Sequence, residues 1–234
     1  MPIQNQTQSL HGQVAIVSGG STELAGAVAQ ALAREGVRIC LVGKQADLLE
    51  LSAAPIRAAG GQCLALVSEL DSLESAQAVL DRTMQAYAQL DLLIMVSPFW
   101  GGGMIHNHNI KTWDLVMSAN LREPFLLSRA VLPIFREQKR GQVMAIGSDS
   151  GLGIYQQDGA YGVALHALNT LMELIRVENS EHGVRTHILA PGLALADAFD
   201  MEGKPNLTSA NVSDWVVWLL TRPLHLRANG PILI

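Results

Sequence analysis

Charge is scarce in this chain. Only 16% of its 234 residues are Asp, Glu, Lys or Arg, and the formal net charge is −5. No Lys/Arg cluster is denser than Lys139-Arg140, so the basic face that nucleic-acid binding requires is missing and nucleic acid is not an expected partner. Cysteine is scarcer still. Cys40 and Cys63 lie on apolar segments without CxxC spacing, and they read as two reduced core thiols of a cytoplasmic protein. No apolar run reaches the ~18 residues that a membrane span needs, so no membrane partner is expected. Residues 1–10 (MPIQNQTQSL) lack the basic start and apolar stretch of a signal peptide and read as a loose polar tail.

What is abundant is apolar surface, at 49% of residues, enough for one large core over residues 11–234. Short apolar runs alternate with amphipathic stretches. Strands are predicted at 14–17, 38–42, 63–67, 92–96, 143–146, 186–189 and 231–234. Helices are predicted at 24–35, 46–59, 72–88, 112–138, 161–181 and 212–220, the first closed by Gly36. Residues 193–211 have no clear period. This alternation implies an α/β domain with right-handed crossovers and a parallel sheet. No repeat or linker divides it.

Several motifs fall on this frame in a fixed order: VAIVSGGSTELAGAVAQALAREG at a strand, turn and helix; LDLLI at the fourth strand; SANLREPF around Asn120; GQVMAIGSDSG leading to Tyr161; and APG at 190–192. Ser148 and Tyr161 stand 13 residues apart. Together the motifs resemble the short-chain dehydrogenase/reductase family over about residues 11–234. The resemblance implies a single Rossmann-type, doubly wound parallel sheet flanked by helices. Ligands on such a sheet bind outside the carboxyl ends of the strands, at the switch point of strand order.

The same resemblance assigns roles. Ser148 would hydrogen-bond a substrate oxygen, Tyr161 would exchange its proton, and Asn120 would hold a water relay through the helix backbone. Ser18, Gly19, Ser21, Thr22, Lys44, Glu69, Pro191 and Gly192 would surround a dinucleotide. Lys44 would suit a 2′-phosphate, which makes NADP(H) the expected cofactor, with a solvated surface lysine as the plainer reading. Against this stand departures from the family pattern. Glu23 and Ala25 replace turn glycines, and Met95-Val96-Ser97-Pro98 replaces Asn-Asn-Ala-Gly. Ala196 replaces a Thr, and Leu165 replaces the Lys one helical turn after the tyrosine. Glu23 would place a carboxylate near a pyrophosphate. Without the lysine, a tyrosine of ordinary pKa near 10 is a poor base at pH 7 but still a proton donor. His166, next to Leu165, points about 100° away on a helix and is a poor substitute.

Pro98, Phe99 and Trp100 would fill the adenosine space, or the two aromatics would form a substrate wall or join the core. The His106-Asn107-His108 stretch beside three glycines has alternating imidazoles but no evident third ligand, so it reads as a solvated, mobile loop able to gate a pocket. Leu121, Phe125, Leu168 and Leu171 lie on helices that pack as a four-helix dimer interface in this family, which implies a homodimer or homotetramer; burial inside the monomer accounts for some of them equally well.

Three functions remain open at this point. One is an NADP(H)-dependent reductase of a small carbonyl compound, or of the matching alcohol, with weak catalysis. Another is a non-catalytic partner subunit or ligand sensor with no dinucleotide. The third is a non-redox enzyme reusing Ser148 and Tyr161.

Overall fold

A computed structural model describes residues 8–97, 99–192, 207–223 and 230–234. Its centre is a parallel sheet built from β1 (Val14–Ser18), β2 (Arg38–Gly43), β3 (Cys63–Val67), β4 (Leu92–Val96), β5 (Gly141–Ile146), β6 (Val184–Ala190) and β7 (Ile232–Leu233), in the order β3-β2-β1-β4-β5-β6-β7. Every described pairing is parallel. The inner strands are buried on both faces, which is why they read in sequence as unbroken apolar runs rather than alternating ones.

Helices cover both faces. One apolar layer holds α1 (Glu23–Arg34), α2 (Ala46–Ala58) and α7 (Ser209–Leu220) against the sheet; the other holds α3 (Leu73–Tyr87), α5 (Glu123–Glu137) and α6 (Gly159–Asn179). Local chemistry sets the helix starts. Thr22 caps α1 through Ala25 N, and Ser72 with Ser75, then Thr208 with Asn211, form reciprocal caps on α3 and α7. Strand order reverses between β1 and β4, and this is the switch point at which a ligand crevice is expected.

The helix expected over 112–138 is two helices with a widened π turn between them. The first, α4, spans Ile110–Met117; the π turn is Ser118–Arg122; α5 follows. Pro124 is the physical reason. It has no N–H to give to the Asn120 carbonyl four residues back, and its ring crowds that carbonyl, so the turn opens.

Two other expectations change. Leu10, assigned to a loose tail, is buried, and Gln8 N donates to Thr221 O at 2.8 Å, so the described end of that tail is docked on the domain. Leu168, open between an interface and the monomer's own core, is in the core with Leu165 and Met172. Phe125 stays 44% exposed and Leu121 and Leu171 partly so; with Met117 and Arg122 they line an open groove of about 640 Å³.

Candidate functional site

The loops after β1, β2, β3 and β4 enclose a crevice of about 360 Å³ at the carboxyl end of the sheet. Gly19, Ser21, Thr22, Lys44, Phe99 and Glu123 are among its lining residues. Gly19 has φ +78°, and a Cβ there would lie 2.7 Å from Val96 O, so only glycine lets the β1 turn fold against the end of β4. Ser21 ties the turn to the next loop by accepting from Gln45 N at 3.1 Å. Thr22 accepts from Ala25 N at 3.3 Å and donates to Gly19 O at 2.8 Å.

Ser18 does not join this lining. It is the last residue of β1, paired with Met95, and is buried in the sheet. Glu23 does not line the crevice either. Its carboxylate accepts from Ser209 Oγ at 3.0 Å at the start of α7. The expected clash with a pyrophosphate is thereby reduced, since the charge is engaged outside the turn.

Lys44 is exposed but paired. Its Nζ lies 2.7 Å from Glu123 Oε1 and 3.7 Å from Glu69 Oε2. Burial pulls the lysine down, but the two carboxylates outweigh that and raise its pKa. Glu123 is only 6% exposed, and burial pushes its carboxyl up to about 7 even against the pull of the ammonium. Sequence reasoning passed over Glu123, although a signal existed. It stands three and four residues before the buried Leu126 and Leu127, on the inward stripe of α5.

The positions that the resemblance marks as catalytic lie near the end of β5. Ser148 is in the strand-end loop and Tyr161 is in the first turn of α6, near enough that the Ser148 hydroxyl acts on the phenol's pKa. Pro191 and Gly192, at the end of β6, act on this loop through backbone: Pro191 O accepts from Asp149 N at 3.1 Å, and Gly192 N donates to Ile234 O at 3.0 Å. They do not line the crevice. Ala196 and Pro98 lie outside the described residues.

Each catalytic group is engaged in a way that sequence did not foretell. Ser148 donates its hydroxyl proton to Asp149 Oδ1 at 2.7 Å, so the proton a substrate oxygen would need is already used. Tyr161 is pushed up to about 12, first by burial, opposed by the Ser148 hydroxyl and reinforced by the Asp149 and Asp158 carboxylates. One oxygen of Asp158 is enclosed without a hydrogen-bond partner, so its charge is not quenched locally. Asn120 is fully buried, and its side-chain amide is bound twice to the backbone of Phe99: Nδ2 donates to Phe99 O at 2.6 Å and Oδ1 accepts from Phe99 N at 3.3 Å. Its side chain fastens the β4 loop, and its backbone carbonyl sits in the π turn that Pro124 opens.

Leu165 fills the place of the family lysine and is 1% exposed. A Cβ on Gly151 would come 3.2 Å from Leu165 Cβ, and one on Gly147 would come 3.6 Å from Leu165 Cδ2. The strand-end loop packs against the leucine. His166 folds back on its own helix, its Nδ1 2.8 Å from Gly162 O.

Phe99 walls the crevice and Trp100 is 70% exposed, so neither is core. The glycine-histidine loop is docked rather than loose. His108 Nε2 accepts from Ala160 N at 3.2 Å, capping α6 one residue before Tyr161, and its ring meets Trp113 edge-on at 5.8 Å. Gly103 N donates to Gln157 O at 2.6 Å. Among the described residues no group of three metal-ligating side chains converges, and no helix is long and apolar enough to cross a membrane.

The group that the fold implies is a nicotinamide dinucleotide. The crevice suits its adenosine half: it lies at the strand switch point, its floor is a glycine turn leading into a helix N-terminus, and Lys44 follows β2, where the ribose 2′ position falls.

Comparison with known proteins agrees with this geometry. A solved metagenomic short-chain oxidoreductase in complex with NADP is 28% identical, with a TM-score of 0.84 over 97% of this chain and 98% of that one. Levodione reductase, at 23% identity, superposes with a TM-score of 0.86 over 96% of each chain and shares the fold. An uncharacterized oxidoreductase of Staphylococcus haemolyticus is 22% identical over 94% of this chain and 96% of its own length. The short chain dehydrogenase family model matches residues 13–205. With that match over most of its length, and with the sheet order and the Ser148–Tyr161 pair in place, the chain belongs to the short-chain dehydrogenase family.

Proposed function

We propose that this protein is an NADP(H)-dependent reductase of small carbonyl compounds whose proton transfer is weakened. The observation that carries the reading is the Ser148–Tyr161 pair, set at the carboxyl end of β5 with Tyr161 held protonated at neutral pH. A bound dinucleotide would supply hydride. A phenol with pKa about 12 donates a proton to a developing alkoxide but does not take one from an alcohol at pH 7, so reduction is favoured over oxidation. The NADP held by a 28% identical relative supports the choice of cofactor.

Two features set catalysis low. Leu165 supplies no charge to ease proton release, and the Ser148 proton is committed to Asp149. The assay is NADPH oxidation against a panel of small aldehydes and ketones, with Tyr161→Phe as control. Turnover that vanishes in the variant supports the reading. Absence of turnover across the panel, together with no binding of NADPH, favours a ligand sensor or non-catalytic subunit without a dinucleotide. The packing of the loop against Leu165 is the observation on that side.

The exposed Phe125 and its groove support self-association through α4, α5 and α6. Sedimentation of a dimer or tetramer that Phe125→Glu dissociates would establish it; a monomeric wild type would remove it.

A further inference from the structure

We propose that Glu123 and the 2′-phosphate of NADP(H) compete for Lys44, so that the phosphorylated cofactor binds only as Glu123 takes up a proton. This rests on the dinucleotide reading above and adds a specificity residue to it.

The geometry sets the two anions against each other. Lys44 is the cation placed at the 2′ end of the crevice, and it already lies 2.7 Å from Glu123 Oε1 and 3.7 Å from Glu69 Oε2. One ammonium faces two carboxylates, so the cluster is net negative before any ligand arrives. A phosphate monoester adds a charge of about −1.5 to −2 at pH 7. Glu69 is largely exposed and screened by solvent, whereas Glu123 is buried and is not. Glu123 is therefore the carboxylate whose charge opposes the phosphate.

The charged groups facing Glu123 are Lys44 from the β2 loop and Glu69 and Asp71 from the β3 loop. Its other neighbours in the crevice, Phe99, Leu115 and Ala119, are uncharged. The environment already holds the carboxyl near about 7, so a further anion close by completes protonation at modest cost. The proton comes from solvent and goes to the Glu123 carboxylate. No bond to the cofactor forms, and Lys44 keeps its charge and transfers its hydrogen bond from carboxylate to phosphate. An unphosphorylated ribose demands no such proton.

Calorimetry with NADP⁺ and NAD⁺ between pH 7 and 8.5, in buffers of different ionisation enthalpy, tests this. NADP⁺ binding by the wild type should weaken roughly tenfold across that range with uptake of nearly one proton at the upper end, as linkage to a group near pH 7 requires. NAD⁺ binding should stay flat. Glu123→Gln should bind NADP⁺ more tightly at pH 8.5, without the pH dependence or the proton uptake; thermal melting confirms that the variant is folded. NADP⁺ affinity that is flat in the wild type or equally pH-dependent in Glu123→Gln overturns the inference and leaves the NADP(H) reading standing, whereas NADP⁺ binding that is undetectable while NAD⁺ binds overturns both the inference and the choice of NADP(H). Failure of both cofactors to bind to wild type and variant overturns the reading as well.

Discussion

Restoring the family lysine by Leu165→Lys should damage the fold before it helps the chemistry. The leucine is 1% exposed and packed against the Gly147–Gly151 loop. A lysine stem would keep much of the apolar contact, so the cost lies in the ammonium. A buried charge without a built partner costs roughly 3–5 kcal/mol. For a domain of this size each kcal/mol corresponds to about 2–4 °C in Tm. The melting temperature should therefore fall by roughly 6–20 °C, read by circular dichroism at pH 7.5. Leu165→Met, close in volume, should cost less than about 1.5 kcal/mol and shift Tm by only a few degrees. A Leu165→Lys variant as stable as the wild type would refute the reasoning. It would mean that the site is open to an ammonium and that the loss of the lysine was not absorbed by the core.

Other predictions are independent of that one. His108→Ala removes the acceptor for Ala160 N and should cost about 1 kcal/mol, as loss of a helix cap does, with a Tm lowered by about 2–4 °C; an unchanged Tm would contradict the capping role. His187 is buried against Gln142 Oε1 at 2.9 Å, and burial holds its pKa down at about 3, with Arg185 adding to the effect. A depressed pKa means that the unfolded chain takes up a proton below about 6.5 that the folded chain refuses. Stability from this group is thus present above pH 6.5 and is lost as pH falls toward 3. Urea titrations at pH 7, 5.5 and 4.5 should show a decline that is shallower in His187→Gln, and equal slopes would refute the assignment. Asp149→Asn removes a charge beside Tyr161 and should lower the pKa of the phenol, seen as phenolate absorbance appearing at lower pH than in the wild type.

The fold was legible because its strands are continuous apolar runs that stand between helices of 3.6 period, and those signals are local. The Ser148 and Tyr161 positions were legible from strand-end and helix-start motifs, and Asn120 from the helix motif SANLREPF. What surrounds them was not. Lys44 meets Glu123 only because β2 and α5 converge over the crevice, and a helix glutamate ordinarily faces solvent. Asp149 drew no reading from the sequence, yet it accepts the hydroxyl proton of Ser148. His108 sat in a glycine-rich stretch that reads as mobile, and its partner Ala160 is a backbone N–H that no side-chain pattern can announce. Ser18 differs for the opposite reason: the motif gives its neighbourhood but not its burial at the end of β1. Local pattern reports elements, whereas long-range ion pairs and backbone partners depend on the assembled topology.

The central claim is that Tyr161 serves this protein as a proton donor and not as a base. Spectrophotometric titration of the wild type minus Tyr161→Phe isolates one phenol among the three tyrosines. The difference should show no phenolate at Tyr161 up to pH 10, consistent with a pKa of about 12. A phenolate appearing between pH 7 and 8 would contradict the account, because it would mean that some other group replaces the missing lysine and restores a base.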